Sequence, residues 1–256
     1  MPTHFCSRRR ALRIFGFAAL SCSLFPGQAL AGLGRAHPPL GREPEPALAA
    51  LPEDGPCELE RRLLDQGLVD VQGVDPTLLV ELKYAREDNF MGANVYGGLR
   101  KGYLHPEPAE MLGRANALLK AREPGLGLLL ADGARPRSVQ RRMWEYVRDT
   151  PMRPYVADPE RGSMHNFGAA ADVTIAGPDG ARLDMGTSVD HFGVLAQPRE
   201  EQRLLRKGRL TAGQVANRRL LREVMLGAGF RPLSIEWWHF DALAKNEARR
   251  RYAIIE

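Results

Sequence analysis

The pattern of hydrophobic and polar positions predicts short strands interleaved with amphipathic helices. Apolar residues recur at helical spacing in three segments, 108–120, 139–149 and 212–227. Four short apolar or aromatic runs are typical of strands: 78–84, 127–131, 170–175 and 233–240. Few strands among helices predict an α+β domain with a small sheet.

The first quarter of the chain has a different character. Residues 32–67 begin with a segment rich in Pro, Gly and Ala and continue through a short charged stretch, which is typical of a linker. The folded domain is therefore predicted to span residues 68–256. A chain of 256 residues suits one such domain with extra segments.

Residues 1–31 have the pattern of an export signal. Arginines at 8–10 precede an apolar run over 14–25, and Ala29-Leu30-Ala31 follows as a small-x-small cleavage pattern. The apolar run is shorter than the roughly 20 residues that a membrane span needs. The arginines also resemble a twin-arginine signal. We expect cleavage after Ala31, a periplasmic location, and no stable membrane span after the signal is removed.

The net charge and the cysteine content limit the functions that this chain can have. The net charge is +5, but residues 1–31 supply +4 of it, so a basic surface for nucleic acid is not expected on the mature chain. After signal removal Cys57 is the remaining cysteine. An intramolecular disulfide and a cysteine-rich zinc site are therefore excluded, and any zinc must be held by His and carboxylates.

The stretch from Ser163 to Thr174 places an imidazole, His165, seven residues before a carboxylate, Asp172, with small residues between them. A lone His is more often a hydrogen-bonded loop residue than a ligand. A carboxylate within an apolar strand, however, is costly unless it is paired or bound to metal. A salt bridge to an arginine is the alternative interpretation of Asp172.

A second candidate pair, Glu236 and His239, lies far downstream. Two His and one carboxylate are a known ligand set for catalytic zinc, and the second carboxylate would then be available as a base. On an ideal strand, residues three apart point to opposite faces. Both side chains can therefore face one site only if the strand ends, twists or bulges there.

Arg135 follows an apolar run and precedes a proline. Its guanidinium could bind a developing oxyanion or, as a fork, a substrate carboxylate. Taken alone, it would more simply be a surface arginine.

Six motifs occur in one order over residues 69–240, and as a set they resemble the D-alanyl-D-alanine dipeptidases, the VanX-type zinc metallopeptidases. The motifs are Lys83-Tyr84-Ala85 with Asp88-Asn89-Phe90, Asp132-Gly133-x-Arg135-Pro136, Ser163-x-His165-x-x-Gly168-x-Ala170-x-Asp172, Met185-Gly186-Thr187, Asn217-Arg218-Arg219 and Glu236-Trp237-Trp238-His239. Ala134 and Asn166-Phe167 depart from the family pattern, which bears on substrate preference more than on chemistry.

The resemblance implies roles for individual residues. His165, Asp172 and His239 would bind one Zn²⁺, Glu236 would be the catalytic acid and base, and Arg135 would stabilise the transition state. Ser163 and Tyr84 match positions near the family's substrate pocket.

The resemblance also implies a fold and a reaction. The fold would be a small, mostly antiparallel sheet flanked by helices, as in other DD-peptidases and hedgehog-like domains. The reaction would be hydrolysis of D-Ala-D-Ala to two D-alanines in cell-wall peptide metabolism, and a dipeptide with two charged ends calls for a small pocket with an acidic group near the amine.

Two other functions remain open on the sequence. The chain could be another peptidoglycan D,D-carboxypeptidase, or a non-catalytic module that binds cell-wall peptides around a structural zinc. The carboxylate of Glu236 argues against the second, because a structural site needs no free base. The oligomeric state is not predicted.

Overall fold

A computed structural model describes residues 56–256 and shows an α+β arrangement. The helices are α1 Glu58–Asp65, α2 Val71–Val74, α3 Pro106–Arg122, α4 Arg137–Val147, α5 Glu201–Arg206, α6 Ala212–Gly227 and α7 Lys245–Arg251. The strands are β1 Val69–Asp70, β2 Leu79–Val80, β3 Tyr103–Leu104, β4 Gly127–Asp132, β5 Ala170–Ala176, β6 Arg231–Pro232 and β7 His239–Asp241.

The main sheet has five strands in the order β2-β4-β5-β7-β6. Strand β2 is parallel to β4, and the other three pairings are antiparallel. Strands β1 and β3 form a separate antiparallel pair. The prediction of a small, mostly antiparallel sheet with helices is confirmed.

The two central strands are buried along their whole length, because helices and connections cover both faces of the sheet. Helices α3 and α6 pack against each other, and their apolar faces join β4 and β5 in the larger hydrophobic cluster. A second cluster contains residues of α1 and α4 together with Tyr84 and Tyr96. This burial of apolar surface makes β4 and β5 a rigid platform for the side chains at their ends.

Helices α3, α4 and α6 and strands β4 and β5 lie where the apolar periodicity predicts them. Helix α6 starts from Thr211, whose hydroxyl accepts from Gln214 N at 3.1 Å while the Gln214 side chain accepts from Thr211 N at 2.8 Å. This reciprocal cap satisfies two backbone donors that helix formation leaves without partners. The charged segment 199–209 contains α5, which buries Leu204 and exposes most of its charges.

Two predicted strands are wrong in extent. The run 78–84 forms a strand only at Leu79–Val80 and then turns into a single 3₁₀ turn at Lys83–Ala85. The run 233–240 is not one strand, since β6 ends at Pro232, β7 begins at His239, and the residues between them form bends. The aromatic residues there are buried by tertiary packing and not by strand pairing, which periodicity cannot distinguish.

The folded region begins earlier than predicted. Helix α1 lies inside the range assigned to the linker, and Leu63 is completely buried in the second cluster. The short charged segment has the apolar stripe of an amphipathic helix, so the predicted linker is too long at its C-terminal end. The predicted signal over 1–31 and residues 32–55 of the predicted linker lie outside the described residues. No helix in residues 56–256 is both long and apolar enough to cross a membrane.

Candidate metal centre and active site

Three acidic or imidazole side chains form a row across neighbouring strands. Asp172 in β5 lies directly opposite His239 in β7 and opposite Asp132 at the end of β4. Residues opposed on paired strands project from the same face of the sheet at short distance. An irregularity in the register between Leu130 and Asp132 brings Asp132 into this row. The sheet register therefore assembles the site.

His165 joins the row from the 3₁₀ helix Met164–Phe167, which precedes β5. Ser163 caps this helix, and Gly168 ends it with a positive φ of 56°. The glycine also lies close to Leu68 and His105, so a side chain there would be both strained and crowded. The tight turn directs the His165 ring back over the end of β4, where its Nδ1 meets the carbonyl oxygen of Gly133 at 2.8 Å.

The hydrogen bonds of the two imidazoles fix where their protons lie. A carbonyl oxygen can only accept, so His165 carries its proton on Nδ1, toward Gly133. The carboxylate of Asp241 lies 2.9 Å from His239 Nε2 and fixes the proton there. In their neutral forms both rings then present unprotonated nitrogens, His165 Nε2 and His239 Nδ1, which lie 3.1 Å apart.

The carboxylate of Asp172 completes a set of three lone-pair donors. Its Oδ1 lies 3.0 Å from His239 Nδ1 and 3.4 Å from His165 Nε2, and all three ligand atoms lie within 4.8 Å of one another. Burial would lower the pKa of His239, but its hydrogen bonds to Asp172 and Asp241 raise it well above the ordinary value. Without a metal the site therefore favours a proton on His239, and a divalent cation that binds the same three atoms takes the place of that proton. The outward N–H groups bound to Gly133 and Asp241 are the usual second layer of a metal site. The residues present therefore fit a zinc ion.

Glu236 lies beside this set without belonging to it. Its Oε2 is 4.0 Å from His239 Nδ1, and its carboxylate forms no hydrogen bond with another residue of the described chain. Burial raises the pKa of Glu236 to about 8, and the charges of Asp172 and Asp190 add to this effect, against that of His239. A buried carboxyl group held for proton transfer has this character.

The conflict between Glu236 and His239 on an ideal strand does not arise. Strand β7 begins at His239, whereas Glu236 lies in the irregular connection from β6. The alternation of faces therefore does not apply between them. Both side chains reach the same cavity because the strand starts between them.

The guanidinium of Arg135 is buried and firmly held. Its Nε and Nη2 both donate to Asp132 Oδ2, and its Nη1 donates to Gln140 Oε1 at 2.9 Å. Its Nη2 also lies 3.9 Å from Asp172 Oδ2. Burial alone would lower the pKa of Arg135, but the charge of Asp132 reverses this and holds it well above the ordinary value. Arg135 is thus not a surface residue, and Asp132 already occupies its fork.

Asp190 is a site residue that the sequence analysis did not identify. The residue is partly buried, its Oδ1 accepts from the Tyr84 hydroxyl at 2.8 Å, and its buried Oδ2 has no hydrogen-bond partner in the described chain. Its φ of 66° lies in the left-handed region, which Asp tolerates better than most residues. Burial raises the pKa of Asp190 to about 7, and Asp172 adds to this. Nothing in the local sequence 188–191 distinguishes it from a surface loop residue.

Asp241 was also missed, although a signal was present. It lies two residues after His239 on the same strand, so both side chains project from one face. Its carboxylate accepts from His239 Nε2. A His-x-Asp pair on a predicted strand is therefore a usable sequence signal for a ligand and its supporting carboxylate.

Three of the sequence motifs meet around Arg218, which is 1% exposed. Its Nε donates to Met185 O at 2.7 Å, and its Nη2 donates to Leu195 O at 3.0 Å, so it holds both ends of the loop that carries Asp190. The guanidinium also lies 5.7 Å from the ring centre of Trp237, whose Nε1 donates to Thr187 Oγ1 at 2.7 Å. These contacts fix the Asp190 loop against the segment that carries Glu236.

One cavity of about 280 Å³ collects these side chains. This volume is at the small end for ligand sites. All seven residues selected from the sequence line it: Tyr84, Arg135, Ser163, His165, Asp172, Glu236 and His239. Ser163 lines the cavity and also acts as a helix cap, because its Oγ accepts from His165 N at 3.3 Å.

Acidic groups outnumber permanent cations around this cavity. Asp132, Asp172 and Glu236 are buried in or next to it, the partly buried Asp190 also lines it, and the buried permanent cation among these groups is Arg135. Burial would raise the pKa of Asp172, yet His165 and His239 outweigh it and hold this pKa well below its usual range. The pKa values of Asp190, Glu236 and His239 are all raised, so these groups hold protons more tightly than usual, and a divalent cation would compensate the same negative charge. The electrostatics thus favour a bound cation at the same place as the geometry.

Comparison with known proteins gives an independent result. The family model described as D-ala-D-ala dipeptidase, Peptidase_M15, matches residues 64–255. A D-alanyl-D-alanine dipeptidase of Escherichia coli K12 is 35% identical over 174 residues, covering 68% of this chain and 83% of that protein. One from Enterococcus faecium is 29% identical over 62% of this chain and 83% of its own length. One from Streptomyces coelicolor is 30% identical with the same two coverages.

The matched region contains every element that builds the cavity, from the end of α1 to the segment after α7. Zinc is the metal of this family of peptidases, in agreement with the convergent His165, Asp172 and His239. The chain belongs to the D-Ala-D-Ala dipeptidase family of metallopeptidases.

Proposed function

We propose that this protein is a zinc-dependent dipeptidase that hydrolyses D-alanyl-D-alanine to two molecules of D-alanine. One observation carries the proposal: three possible ligand atoms converge beside a carboxylate, Glu236, that forms no hydrogen bond in the described chain. The family membership and the names of the relatives, all D-alanyl-D-alanine dipeptidases, support the choice of substrate.

His165 Nε2, Asp172 Oδ1 and His239 Nδ1 would hold the zinc ion. Gly133 O and the Asp241 carboxylate would orient the two imidazoles by accepting their outer N–H groups. When bound there, a zinc ion would lower the pKa of a water molecule to about 7 and would polarise the scissile carbonyl.

Glu236 is the general base and then the general acid. Its carboxylate takes a proton from the attacking water, whose oxygen forms a bond to the amide carbon. When the carbon–nitrogen bond breaks, Glu236 delivers that proton to the leaving amine. Burial disfavours the charged carboxylate and raises its pKa, so Glu236 is a stronger base toward the attacking water than an exposed carboxylate would be.

Arg135 stabilises the negative charge that develops on the carbonyl oxygen. Its guanidinium is fixed by Asp132 and Gln140 near Asp172, so it needs no rearrangement during the reaction. Because its fork is engaged by Asp132, the alternative role as a bidentate clamp for a substrate carboxylate is disfavoured.

Asp190 is the acidic group for the substrate amine. Its Oδ2 is buried without a partner, and its Oδ1 is fixed by Tyr84, so the free oxygen can accept from an ammonium group. Tyr84 acts in substrate binding by orienting this carboxylate, and Ser163 supplies a polar group on the cavity wall.

We also propose that the enzyme works in the periplasm on D,D-dipeptides from peptidoglycan metabolism. The support is the pattern of residues 1–31, with its arginines, short apolar run and Ala29-Leu30-Ala31. The small cavity suits a free dipeptide better than a long peptidoglycan stem.

The first prediction distinguishes the proposed general base, Glu236, from the proposed zinc ligands. Glu236→Gln keeps the size of the side chain but cannot take a proton, so turnover of D-Ala-D-Ala should fall by at least about 10² while bound zinc is retained. The His165→Ala protein should lose both turnover and bound zinc. D-alanine release and zinc content per chain would be measured together. A chelator should abolish wild-type turnover, and added zinc should restore it.

Wild-type turnover in the Glu236→Gln protein would contradict the assigned role of Glu236. Full zinc content in His165→Ala would contradict the ligand set. Zinc binding without turnover on any D,D-peptide would instead favour a peptide-binding module.

The second prediction concerns the residue that supports a ligand. Asp241→Ala removes the acceptor of the His239 Nε2 proton, so zinc affinity should fall about 10- to 100-fold. Asp149→Ala is the matched control, because its carboxylate is exposed and pairs only with Arg148. Competition with a chromophoric chelator would measure both. Equal affinity in the two variants would show that Asp241 does not orient His239.

The third prediction concerns recognition of the amine. Asp190→Asn removes the negative charge opposite the substrate ammonium, so the KM for D-Ala-D-Ala should rise about tenfold or more. N-acetyl-D-Ala-D-Ala has no ammonium group, and the substitution should not weaken its binding. If the KM for both peptides rises equally, Asp190 acts only in folding.

The fourth prediction concerns export. The full chain expressed in a Gram-negative host should appear in the periplasmic fraction with residue 32 as its N-terminus, whereas a chain beginning at residue 32 should stay in the cytoplasm. Mass spectrometry of each fraction would identify the terminus. A periplasmic protein with an intact N-terminus would contradict cleavage after Ala31.

A further inference from the structure

Lys245 is a cation at the cavity that the proposed reaction has not used. It is the first residue of α7, and it lines the cavity together with Glu236, His239 and Asp241. Of the residues that line this cavity, two carry a permanent positive charge, Arg135 and Lys245. The free dipeptide is a zwitterion, so its carboxylate needs a positive partner near the bond that is cut.

Arg135 is poorly placed to be that partner. Two of its nitrogens donate to Asp132, the third donates to Gln140, and the whole group is buried. Binding a carboxylate in a forked arrangement would require Arg135 to release Asp132, which would leave a buried carboxylate without its charged partner.

Lys245 is available for a carboxylate. Its ammonium group forms no hydrogen bond and no ion pair with another residue in 56–256, in contrast to Arg135. Partial burial lowers the pKa of Lys245, and the charges of Arg249 and Arg161 lower it further, against those of Asp241 and Asp158. An incoming carboxylate would give this ammonium group a partner that it does not have among the described residues. An ammonium on a flexible stem can follow the carboxylate without a preset fork.

The two charged groups of the cavity come from different parts of the fold. Asp190 lies in a loop and accepts from the Tyr84 hydroxyl, whereas Lys245 begins α7. The ligand set and Glu236 line the same cavity as both groups. An acidic group and a basic group on one small cavity match a substrate with an ammonium at one end, a carboxylate at the other and one peptide bond between them.

We propose that Lys245 binds the C-terminal carboxylate of the substrate and so selects peptides in which one residue with a free carboxylate follows the scissile bond. This inference rests on the proposed dipeptidase function and names the group that recognises the leaving D-alanine.

The test compares an acid with its amide. Lys245→Met keeps the length of the side chain but removes its charge, Lys245→Arg keeps the charge, and Lys207→Met removes an exposed lysine that does not line the cavity. The substrates are D-alanyl-D-alanine and D-alanyl-D-alaninamide, which differ only in the charge of the C-terminal group. All four proteins, including the wild type, would be assayed with zinc bound and at two salt concentrations.

Lys245→Met should raise the KM for the acid about tenfold, and the KM for the amide less than about twofold, because only the acid loses a charged partner. The Lys245→Arg protein should have a KM for the acid close to that of the wild type, and the Lys207→Met protein should behave as the wild type. Salt should raise the KM for the acid in the wild type more than in Lys245→Met, since salt screens the exposed pair.

Calorimetry gives a second readout that does not depend on turnover. In a Glu236→Gln background, adding Lys245→Met should weaken binding of the acid about tenfold and change binding of the amide little. An equal effect on acid and amide, or no effect on either, would overturn the role of Lys245. A wild type that cleaves acid and amide equally well would overturn this inference alone, and one that cleaves neither would overturn the proposed function and this inference with it.

Discussion

The structure of the site depends on three ligand atoms, two imidazole nitrogens and one carboxylate oxygen, that the fold holds close together. The carbonyl of Gly133 and the carboxylate of Asp241 accept from the outer nitrogens of the two imidazoles, so the inner nitrogens face each other and the Asp172 carboxylate. The fold keeps these atoms together because β4, β5 and β7 are fixed by a large apolar core. A close contact between two backbone segments also shapes the site. A Cβ atom at residue 133 would lie 2.7 Å from the carbonyl oxygen of Tyr103, so glycine is required there.

The remaining residues of the site are held by contacts across the sequence motifs. Arg218 on α6 joins the two ends of the Asp190 loop, and it lies against the indole ring of Trp237. Glu236 is the residue next to Trp237. Arg218 therefore supports both Asp190, which is proposed to bind the substrate amine, and Glu236, which is proposed to transfer the proton. Motifs that look unrelated in the sequence thus form one packing unit. Arg218 provides this rigidity through two backbone carbonyl acceptors, and the buried carboxylate of Glu201 lies 3.9 Å from its Nη1.

Much of the fold could be predicted from the sequence, because strong periodicity marks α3, α4, α6, β4 and β5. The ligand set could be selected because Asp172 lies in an apolar strand and because the ordered motifs resemble a known family. Periodicity failed at 233–238, where aromatic residues are buried in an irregular connection. The condition under which Glu236 and His239 can face one site, an end of the strand between them, is met there. Asp190 was missed for a different reason. Its burial and its partner Tyr84 result from a contact between residues 106 positions apart, and no local pattern encodes such a contact.

The position at which β7 begins has a consequence for how this site can evolve. His239 is anchored by the sheet, whereas Glu236 lies on a connection whose backbone is free of strand pairing. Replacements in the connection can therefore abolish hydrolysis and leave the ion-binding set in register. A descendant of this chain could keep the cavity and its metal as a receptor for small peptides, with a single substitution as the difference between an enzyme and a sensor.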